Sequence, residues 1–464
     1  MRKPRLRLRS AALAVLLTLP GGASFAAADG TPDPGFNGNG RAVMDIGESA
    51  GLRAVAAAPD GKMVVVGSAN FPAGEDWSNT AWVVARWNAD GTRDTTFGPA
   101  HTGIVRIELD LGPVGVRYDS GTSVAVQPNG KVVIAGLAKV SSSQSWAAVA
   151  RLTADGNLDT SFAGSGKLTL GQLGNAFDCR LRLRRGGQIV VTPSLVSGNN
   201  VVVQLTSDGY LDPMFGLGGV TEAWSCGSPA CGWFFDALEL PDGKLLAIGM
   251  TPSRDHFFLV RFFGTLYHTG EVDEAFGDQG VAAFAPAGFS KIEVLGFALD
   301  TSARVTVLGD NPDHPEQTAL LRLRNDQPDP TFGTGGWAML TYRPPSSTTD
   351  GTPMALLLQA DGKALVAGTG LVNGTWNFVV TRLTANGRAV DTTFSGGWST
   401  IAFDVGGGLT DFPTAMATSS GRPLIAGLAG SSSTWLYAAT RLDNSFLWSD
   451  GFESGSTWFW SGQN

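Results

Sequence analysis

The stretch "NADGTRDTTFG", residues 88–98, alternates acidic and amide side chains around a glycine. Asn88, Asp90 and Asp94 have the short spacings of a calcium loop, because hard cations prefer oxygen ligands. The same residues also suit a tight hairpin turn, since Asp-Gly pairs readily reverse the chain. How the rest of the chain uses this pattern decides between a metal site and scaffolding.

The tetrad Asp-x-x-Phe that closes this stretch recurs along the chain. Its eight copies are "DPGF" (33–36), "DTTF" (94–97), "DTSF" (159–162), "DPMF" (212–215), "DEAF" (273–276), "DPTF" (329–332), "DTTF" (391–394) and "DNSF" (443–446). They enclose seven periods of roughly 59 residues, and self-similarity at a fixed period is the signature of a repeat architecture.

Each period contains turn signals that divide it into four strands, here called a to d. In the first period we expect strands at 52–58, 62–68, 80–87 and 104–109, with a Pro-Asp-Gly turn between the first two. Short runs rich in Val, Ile and Ala between such turns are what a four-stranded propeller blade needs. Helical periodicity is absent from nearly all of the chain after the N-terminal segment.

The two ends of the repeat region complement each other. Residues 33–46 contain the Phe element and a strand d, whereas residues 411–446 contain strands a to c without a convincing strand d. The sequence therefore predicts an all-β, seven-bladed β-propeller of four-stranded antiparallel blades. In it the N-terminal strand joins the last blade and removes the open sheet edges. An open solenoid of stacked sheets is the alternative.

The repeats resemble those of a known family. The stretches "QPNGKVVIAG" (127–136) and "AAVARLTADGNLDTSF" (147–162), with their copies, are similar to the delta-60 repeats of secreted bacterial proteins. The resemblance covers roughly residues 31–446. It implies a β-propeller and implies no activity. The third copy, "RRGGQIVV", and the fifth, "DTSARVTV", depart from the pattern at the first turn.

The N-terminus has the build of a secretory signal. A basic region from Arg2 to Arg9 precedes the apolar run "AALAVLLTL" (11–19), and small residues allow cleavage after Ala26 or Ala28. The run is too short to span a membrane, and no later stretch is long enough. We therefore expect a signal peptide at 1–28, a propeller at 29–446 and a tail at 447–464, in a protein secreted or held in the cell envelope.

Cleavage of the signal makes the chain more acidic. It removes five basic residues and no acidic one, so the formal net charge of -8 becomes -13. Such a protein is a poor candidate for binding nucleic acid or anionic membranes. We expect a monomer without a membrane span.

The three cysteines differ in their surroundings. Cys226 and Cys231 flank Gly, Ser and Pro in "CGSPAC", and an oxidising compartment favours a disulfide between them, with two unpaired loop thiols as the alternative. Cys179 lies in the alternating segment "AFDCRLRL" and is interpreted as a small strand residue.

The tail "LWSDGFESGSTWFWSGQN" (447–464) resembles a short Asp-Gly-Phe-Glu-Ser-Gly segment that ends many exported proteobacterial proteins. It has no apolar helix and no basic end. It is interpreted either as a recognition tag or as aromatic residues that pack onto the propeller.

Comparison of the repeats favours scaffolding over metal binding in the opening stretch. The position of Asp90 is taken by Thr269 and Asn386 in later copies, whereas the Asp three residues before Phe is present in all eight. One carboxylate per repeat suits a turn in which it accepts the N–H two residues on, while the Phe packs between blades. We expect no metal and no cofactor.

The polar residues most suggestive of a site occur in two strand b–c loops. "TPSRDHFF" (251–258) contains Arg254, Asp255 and His256, and the equivalent "GDNPDHPEQ" (309–317) contains Asp310, Asp313 and His314. The chain has four histidines, no i, i+4 pair among them, and no nucleophile elbow or phosphate loop. Ordinary solvated loops are the alternative interpretation, because polar loops are common.

The topology also predicts which face binds. Turns a–b and c–d fall on one face and are short, whereas connections b–c and d–a fall on the other and vary. Trp77, Tyr118 and Trp233 lie in these variable connections and would suit stacking on sugar or peptide, although each is also compatible with packing. We therefore expect an exported binding protein of an unknown glycan, peptide or protein. A propeller hydrolase or lactonase-like enzyme and a structural cell-surface protein are the alternatives.

Overall fold

The structure is a computed structural model. It describes residues 29–70, 79–109, 111–112, 117–223, 232–264, 269–345, 347, 349–405, 410–431 and 434–444. The predicted signal peptide, Trp77, the Cys226–Cys231 disulfide and the tail at 447–464 lie outside these ranges and remain predictions.

The described chain is almost entirely strand. Its first strands are β1 (Arg41–Met44), β2 (Glu48–Ala57), β3 (Met63–Asn70), β4 (Asn79–Trp87), β5 (Ile104–Ile107), β6 (Arg117–Tyr118), β7 (Ser120–Val126), β8 (Val132–Lys139), β9 (Ser145–Leu152), β10 (Lys167–Thr169), β11 (Ala176–Leu183), β12 (Ile189–Leu195), β13 (Asn200–Leu205), β14 (Val220–Ala223) and β15 (Trp233–Glu239). They continue with β16 (Leu245–Met250), β17 (Phe257–Phe262), β18 (Val281–Phe284), β19 (Glu293–Leu299), β20 (Arg304–Asn311), β21 (His314–Arg324), β22 (Gln327–Pro328), β23 (Trp337–Thr341), β24 (Thr352–Leu358), β25 (Ala364–Val372), β26 (Thr375–Leu383), β27 (Trp398–Ile401), β28 (Thr410–Ser419), β29 (Arg422–Ser431) and β30 (Thr434–Arg441). Short 3-10 turns span Phe162–Gly164, Gly171–Leu173 and Ser395–Gly397.

Neighbouring strands pair antiparallel in groups of four. The groups are β2 to β5, β7 to β10, β11 to β14, β15 to β18, β19 to β21 with β23, β24 to β27, and β28 to β30 with β1. A single parallel pair, Trp376 with Thr410, joins the last two groups. The predicted strands of the first repeat correspond to β2 to β5, so the all-β fold of four-stranded antiparallel sheets is confirmed.

The first strands of the groups surround one cavity. These inner strands are β2, β7, β11, β15, β19, β24 and β28, and they line a space of about 630 Å³. The second and third strands are buried on both sides because apolar side chains of adjacent sheets pack together. Val64 and Val84 of one sheet, for example, share a core with Val132 and Ile134 of the next. Such strands read as continuous Val- and Ile-rich runs rather than alternating ones.

The Asp of an Asp-x-x-Phe element fixes a turn, and in the first complete repeat it also holds two basic side chains. Asp94 accepts the N–H of Thr96 at 3.0 Å, Arg86 Nε at 2.7 Å and Lys62 Nζ at 3.0 Å. Burial by itself raises the pKa of Asp94, but the hydrogen bonds from Thr96 and Lys62 and the charge of Arg86 outweigh burial and hold that pKa well below its usual range. The Arg86 guanidinium also lies 4.1 Å from the ring centre of Phe97.

The same turn recurs in the other repeats. The N–H two residues beyond the Asp donates to its carboxylate at Asp33, Asp159, Asp212, Asp273, Asp329 and Asp391. The predicted turn is therefore confirmed, and its carboxylates are occupied by protein donors. The element is a scaffold, as the comparison of the repeats indicated.

These elements also fasten each sheet to the next. The N–H of Gly98 donates to the carbonyl of Asp155 at 2.8 Å, and Arg86 Nη1 donates to the carbonyl of Ala154 at 2.5 Å. The receiving turn requires glycine, because Gly156 has φ +85° and a Cβ there would lie 2.6 Å from the Gly98 nitrogen. We call this side of the molecule, with the a–b and c–d turns, the turn face, and the opposite side the loop face.

The N-terminal segment provides this fastening for the last group of strands. β1 pairs with β30 from Arg41 opposite Thr440 to Met44 opposite Tyr437. Asp33 accepts Arg441 Nε at 2.6 Å, and Arg441 Nη1 reaches the carbonyl of Ala89 in the first repeat at 2.5 Å. Residues from the two ends of the chain thus make one turn cluster.

The eighth copy of the tetrad, beginning at Asp443, does not repeat this role, so its interpretation as an equivalent element is wrong. The carbonyl of Asp443 accepts the N–H of Gly30, and the N–H of Asp443 donates to the carbonyl of Thr31. In the first repeat, Asn88 makes the same two bonds with Gly91 and Thr92. Asp443 thus begins a hairpin turn that the N-terminal segment completes. Burial and the nearby charge of Asp33 raise the pKa of the Asp443 carboxyl.

Candidate functional site

The loop face carries a groove that two predicted residues share. Its volume is about 440 Å³. Strand ends and the adjoining connections of two neighbouring sheets line it: Phe177, Leu195, Val196, Ser197, Gly198, Gly232, Trp233, Pro252 and Arg254. Trp233 and Arg254 lie in the same group of strands, β15 to β18, and are both residues that the sequence singled out. The groove brings them onto one surface.

Aromatic side chains form one wall of the groove. Trp233 is the first residue of β15 rather than a loop residue, and its ring meets that of Phe177 edge to face, with centroids 5.3 Å apart. Phe177 is 46% exposed, and Val196 nearby is 61% exposed. The chain enters β15 through Gly232 at φ +85°, where a Cβ would lie 1.6 Å from the carbonyl oxygen of Met250. Glycine therefore permits the close approach that places Trp233.

Arg254 is held at the other end of the groove. Its backbone has φ +56°, and its carbonyl accepts the N–H of Ile292 at 2.6 Å. Its Nη1 lies 2.8 Å from Oε2 of Glu293, and both side chains are 40% exposed. Because its side chain is exposed, the Arg254 guanidinium is accessible to a ligand. A ligand that replaces Glu293 as its partner sacrifices little stability, because exposed ion pairs contribute little.

Asp255 and His256 occupy the predicted loop between β16 and β17. Hydrogen bonds from Ser253 and Thr251 lower the pKa of Asp255 to about 2. His256 Nδ1 lies 2.9 Å from an oxygen of that carboxylate. The carboxylate of Asp255 is therefore committed to organising its own loop.

Asp310 does not lie in a solvated loop, contrary to the sequence interpretation. β20 continues to Asn311 and β21 begins at His314, so Asp310 is a strand residue that is 7% exposed. It lies directly opposite Glu293 in the ladder between β19 and β20. Burial, together with the charge of Glu293, raises the pKa of Asp310 to about 7.

The remaining predicted residues lie apart from the groove lining. Asp313 is exposed and accepts Ser290 Oγ and Lys291 Nζ, each at 3.0 Å, and these bonds lower its pKa. His314 begins β21, opposite Asn311. Tyr118 ends the two-residue strand β6 and is 50% exposed.

The described residues contain no group of three or more His, Cys, Asp or Glu side chains arranged to hold a metal ion. His256 and His314 therefore do not converge with the acidic residues in a metal-binding arrangement. Cys179, which the sequence placed in a strand, is fully buried, and burial raises the pKa of its thiol.

Sequence reasoning missed Phe177, Val196 and Glu293. The sequence places Phe177 two residues before Cys179 in an alternating strand. It does not indicate that the Phe177 side chain is exposed. Glu293 becomes significant only through its register opposite Asp310. A single sequence does not supply that register.

The fold and the repeats define the class of this protein as a β-propeller with tandem repeats. Residues 58–97, 127–162 and 359–394 match the family model described as "Domain of unknown function (DUF5122) beta-propeller". No curated protein matches the chain. Within the part of the chain that the structure describes, no helix is long and apolar enough to cross a membrane.

Several solved structures are similar to the chain at low identity. A polysaccharide lyase, an ulvan lyase, is 10% identical with a TM-score of 0.46, over 86% of this chain and 96% of that one. An aldose sugar dehydrogenase from Streptomyces coelicolor, with PQQ bound, is 14% identical with a TM-score of 0.40, over 72% and 97%. A protein of unknown function from Dyadobacter fermentans is 13% identical with a TM-score of 0.43, over 87% and 98%. No activity is transferred from similarities at this level.

Proposed function

We propose that residues 29–446 form a closed ring of seven four-stranded blades, with β1 as the last strand of the seventh. The pairing of β1 with β30 and the cluster of Asp33 with Arg441 support this arrangement. So does the bond from Ser419 Oγ to the carbonyl of Gly61, 3.2 Å long, which links the last inner turn to the first. The ring is favoured over an open solenoid because these contacts cover both edges that a linear stack leaves exposed.

We also propose that the protein is exported after removal of residues 1–28. Asp29 is buried, its side chain lies 2.6 Å from Arg382 Nη2, and its carbonyl accepts the N–H of Ser395. Cleavage after Ala28 would leave all of these contacts in place. Intact-mass analysis of protein secreted by a bacterial host would find an N-terminus at Asp29 or Ala27, whereas a chain that keeps its first 26 residues would contradict export.

We propose that the exported propeller is a binding protein whose loop face takes a glycan, peptide or protein through the groove at Trp233. The observation that carries this proposal is that Phe177 of β11, Trp233 of β15 and Arg254 of the β16–β17 loop line one concave surface. Exposed aromatic rings stack on sugar or apolar side chains, and a guanidinium binds carboxylates. Variable loops on a rigid scaffold are where binding residues concentrate.

Glycan and peptide arrays probed with the mature protein test this proposal. For a ligand found there, Trp233→Ala and Phe177→Ala are each expected to weaken binding about tenfold or more. Tyr210→Ala is the matched control, because Tyr210 is a 55% exposed aromatic residue in a c–d turn on the turn face. Equal binding by Trp233→Ala and the native protein, or equal losses in all three variants, would contradict the groove.

The predicted aromatic residues in the other connections extend the same test. Tyr118 is half exposed on the loop face, and Trp77 belongs to the connection that leads to β4. Their alanine variants distinguish a ligand confined to the groove from one that spans the face. Protein that binds nothing on either array but assembles on cell surfaces would favour the structural alternative.

A hydrolase is the second candidate, and the pair of Glu293 and Asp310 favours it. A carboxyl whose pKa burial and a neighbouring carboxylate raise to about 7 suits general acid and base catalysis. A panel of lactones, esters and nitrophenyl glycosides would show turnover that Asp310→Asn abolishes and Asp313→Asn leaves intact. Absence of turnover across the panel would leave binding as the function.

A further inference from the structure

The central cavity has a polar wall and an apolar wall. Arg53, Arg180 and Arg182 line it from β2 and β11. The inner strands β19, β24 and β28 contribute Leu295, Met354, Leu356, Leu357 and Met416 instead. The cavity is distinct from the loop-face groove, because the residues that line the two do not overlap.

The acidic residues of this cavity are already paired within the protein. Asp236 lies 2.6 Å from Arg182 Nη2, Glu239 3.1 Å from Arg184 Nη2, Asp300 2.7 Å from Arg304 Nε and Asp361 3.3 Å from Lys363 Nζ. Asp236 also accepts the N–H of Ala237 at 2.8 Å. The acidic lining residues therefore do not neutralise the other arginines.

Two arginines are left with free donors. Arg53 lies in the bulge between Leu52 and Ala54 and is exposed, and its guanidinium makes no hydrogen bond or ion pair with the described residues. Arg180 uses Nε on Asp178 at 3.1 Å and stacks 4.9 Å from the ring centre of Phe235. Within the described chain, both Nη groups of Arg180 have no hydrogen-bond partner.

The two arginines lie at the same level of the cavity. Arg180 of β11 lies opposite Thr192 of β12. At the corresponding position of the first group, Ala54 of β2 lies opposite Val66 of β3, and Arg53 is the residue before Ala54. The strand between them, β7, presents the small, buried Ser123, which leaves room above it. A guanidinium offers a planar fork of donors that fits carboxylate and phosphate oxygens.

We propose that this cavity binds a small amphipathic anion. Its carboxylate or phosphate group binds Arg53 and Arg180, and its apolar body packs against β19, β24 and β28. The free donors of Arg53 and Arg180 select the anionic group of the ligand. This site does not depend on the groove that serves the proposed function.

Calorimetric titration of the mature protein with three probes tests the ligand class. The probes are 4-phenylbutyrate, its uncharged amide 4-phenylbutanamide, and phenyl phosphate. Saturable binding is expected for the carboxylate, the phosphate or both, at least about tenfold tighter than for the amide, because charge-assisted hydrogen bonds are lost with the charge. Binding of neither anion, or equal affinity for the amide, would overturn the proposal.

Variants locate the site. Arg53→Gln and Arg180→Gln are each expected to weaken binding of the anion about tenfold or more. Arg185→Gln is the control, because Arg185 lines the same cavity but already donates to the carbonyl of Pro241 at 2.8 Å. Unchanged unfolding temperatures verify that each variant folds. Equal losses in all three variants, or none in the first two, would overturn the assignment.

Trp233→Ala separates this site from the groove. Anion binding that persists in Trp233→Ala while array binding is lost supports two independent sites. Anion binding that disappears with Trp233 would place the probe in the groove and overturn the cavity proposal.

Discussion

The turn face and the loop face are made from the same repeats but use polar residues differently. On the turn face, the Asp of each blade element accepts its own turn N–H, and in most copies a buried Arg or a Lys as well. On the loop face, Phe177 and Val196 are exposed and Arg254 has only an exposed partner. Residues that recur in every repeat therefore report architecture, and the irregular ones are where binding is to be sought.

Asp391 on the turn face and Asp310 on the loop face have opposite pKa shifts. Basic partners and turn N–H groups hold the pKa of Asp391 well below its usual range although burial opposes them. Burial and Glu293 raise the pKa of Asp310 to about 7. The surroundings of Asp391 stabilise its ionised form and those of Asp310 disfavour it, so the two sites should respond differently to mutation and to pH.

The largest expected effect is the loss of a turn-face arginine. Arg382 is fully buried between Asp29 and Asp391, and Arg382→Met removes the arginine from both buried carboxylates, leaving Lys363 as the basic partner of Asp391. We expect the free energy of unfolding to fall by about 3–5 kcal/mol in urea denaturation. The loop-face control Arg254→Met breaks an exposed pair and should cost about 1 kcal/mol or less. Similar losses in both would break the comparison.

The pH dependence of stability is the next largest effect. The pKa of Asp310 is about 7 in the folded protein, against an ordinary value of 3.8, so the native state binds more protons between these values. The contribution of Asp310 to stability therefore falls as pH rises from about 4 to 7. Between pH 4 and 7, the free energy of unfolding of Asp310→Asn should therefore rise by about 2–4 kcal/mol relative to that of the native protein.

Urea titrations of both proteins at several pH values check this difference. Carboxylates with a lowered pKa, such as Asp391, act in the opposite sense. The protein loses their contribution to its stability only as pH falls below the usual carboxyl range. That effect is common to both proteins and cancels. If the difference in free energy of unfolding between the two proteins stays constant from pH 4 to 7, ionisation of Asp310 does not destabilise the fold.

The smallest effect distinguishes the two end copies of the tetrad. Asp33→Asn weakens the bonds to Arg441 and Arg422 and should cost about 2 kcal/mol. Asp443→Asn should change stability by about 0.5 kcal/mol or less, or raise it, because burial and Asp33 disfavour its charge. Thermal unfolding of the pair checks this, and equal losses would show that both copies act as blade elements.

Much of the fold follows from the sequence because the repeat is local. Strand order, turns and the role of Asp94 and Phe97 depend on residues within one period, and seven periods supply the comparison. The misreading of Asp443 has a physical cause. Its tetrad matches the others, but the chain there meets Gly30 and Thr31 from the opposite end of the sequence.

The site was less predictable because it depends on contacts between repeats. Trp233 and Arg254 were recognisable by residue type and connection, but their meeting in one groove with Phe177 depends on how neighbouring sheets pack. Asp310 was placed in a loop because Asn, Pro and Asp signal a turn. The turn is shorter than this signal suggested, and the buried carboxylate lies in a strand.

The most direct test of the separation between the faces is a crossed measurement on two variants. The unfolding temperature and array binding would be measured for Arg382→Met on the turn face and Phe177→Ala on the loop face. We predict that Arg382→Met lowers the unfolding temperature and that this variant still binds below that temperature. We predict that Phe177→Ala leaves the unfolding temperature unchanged and loses binding. Binding retained in Phe177→Ala, or a lowered unfolding temperature in that variant alone, would contradict the account.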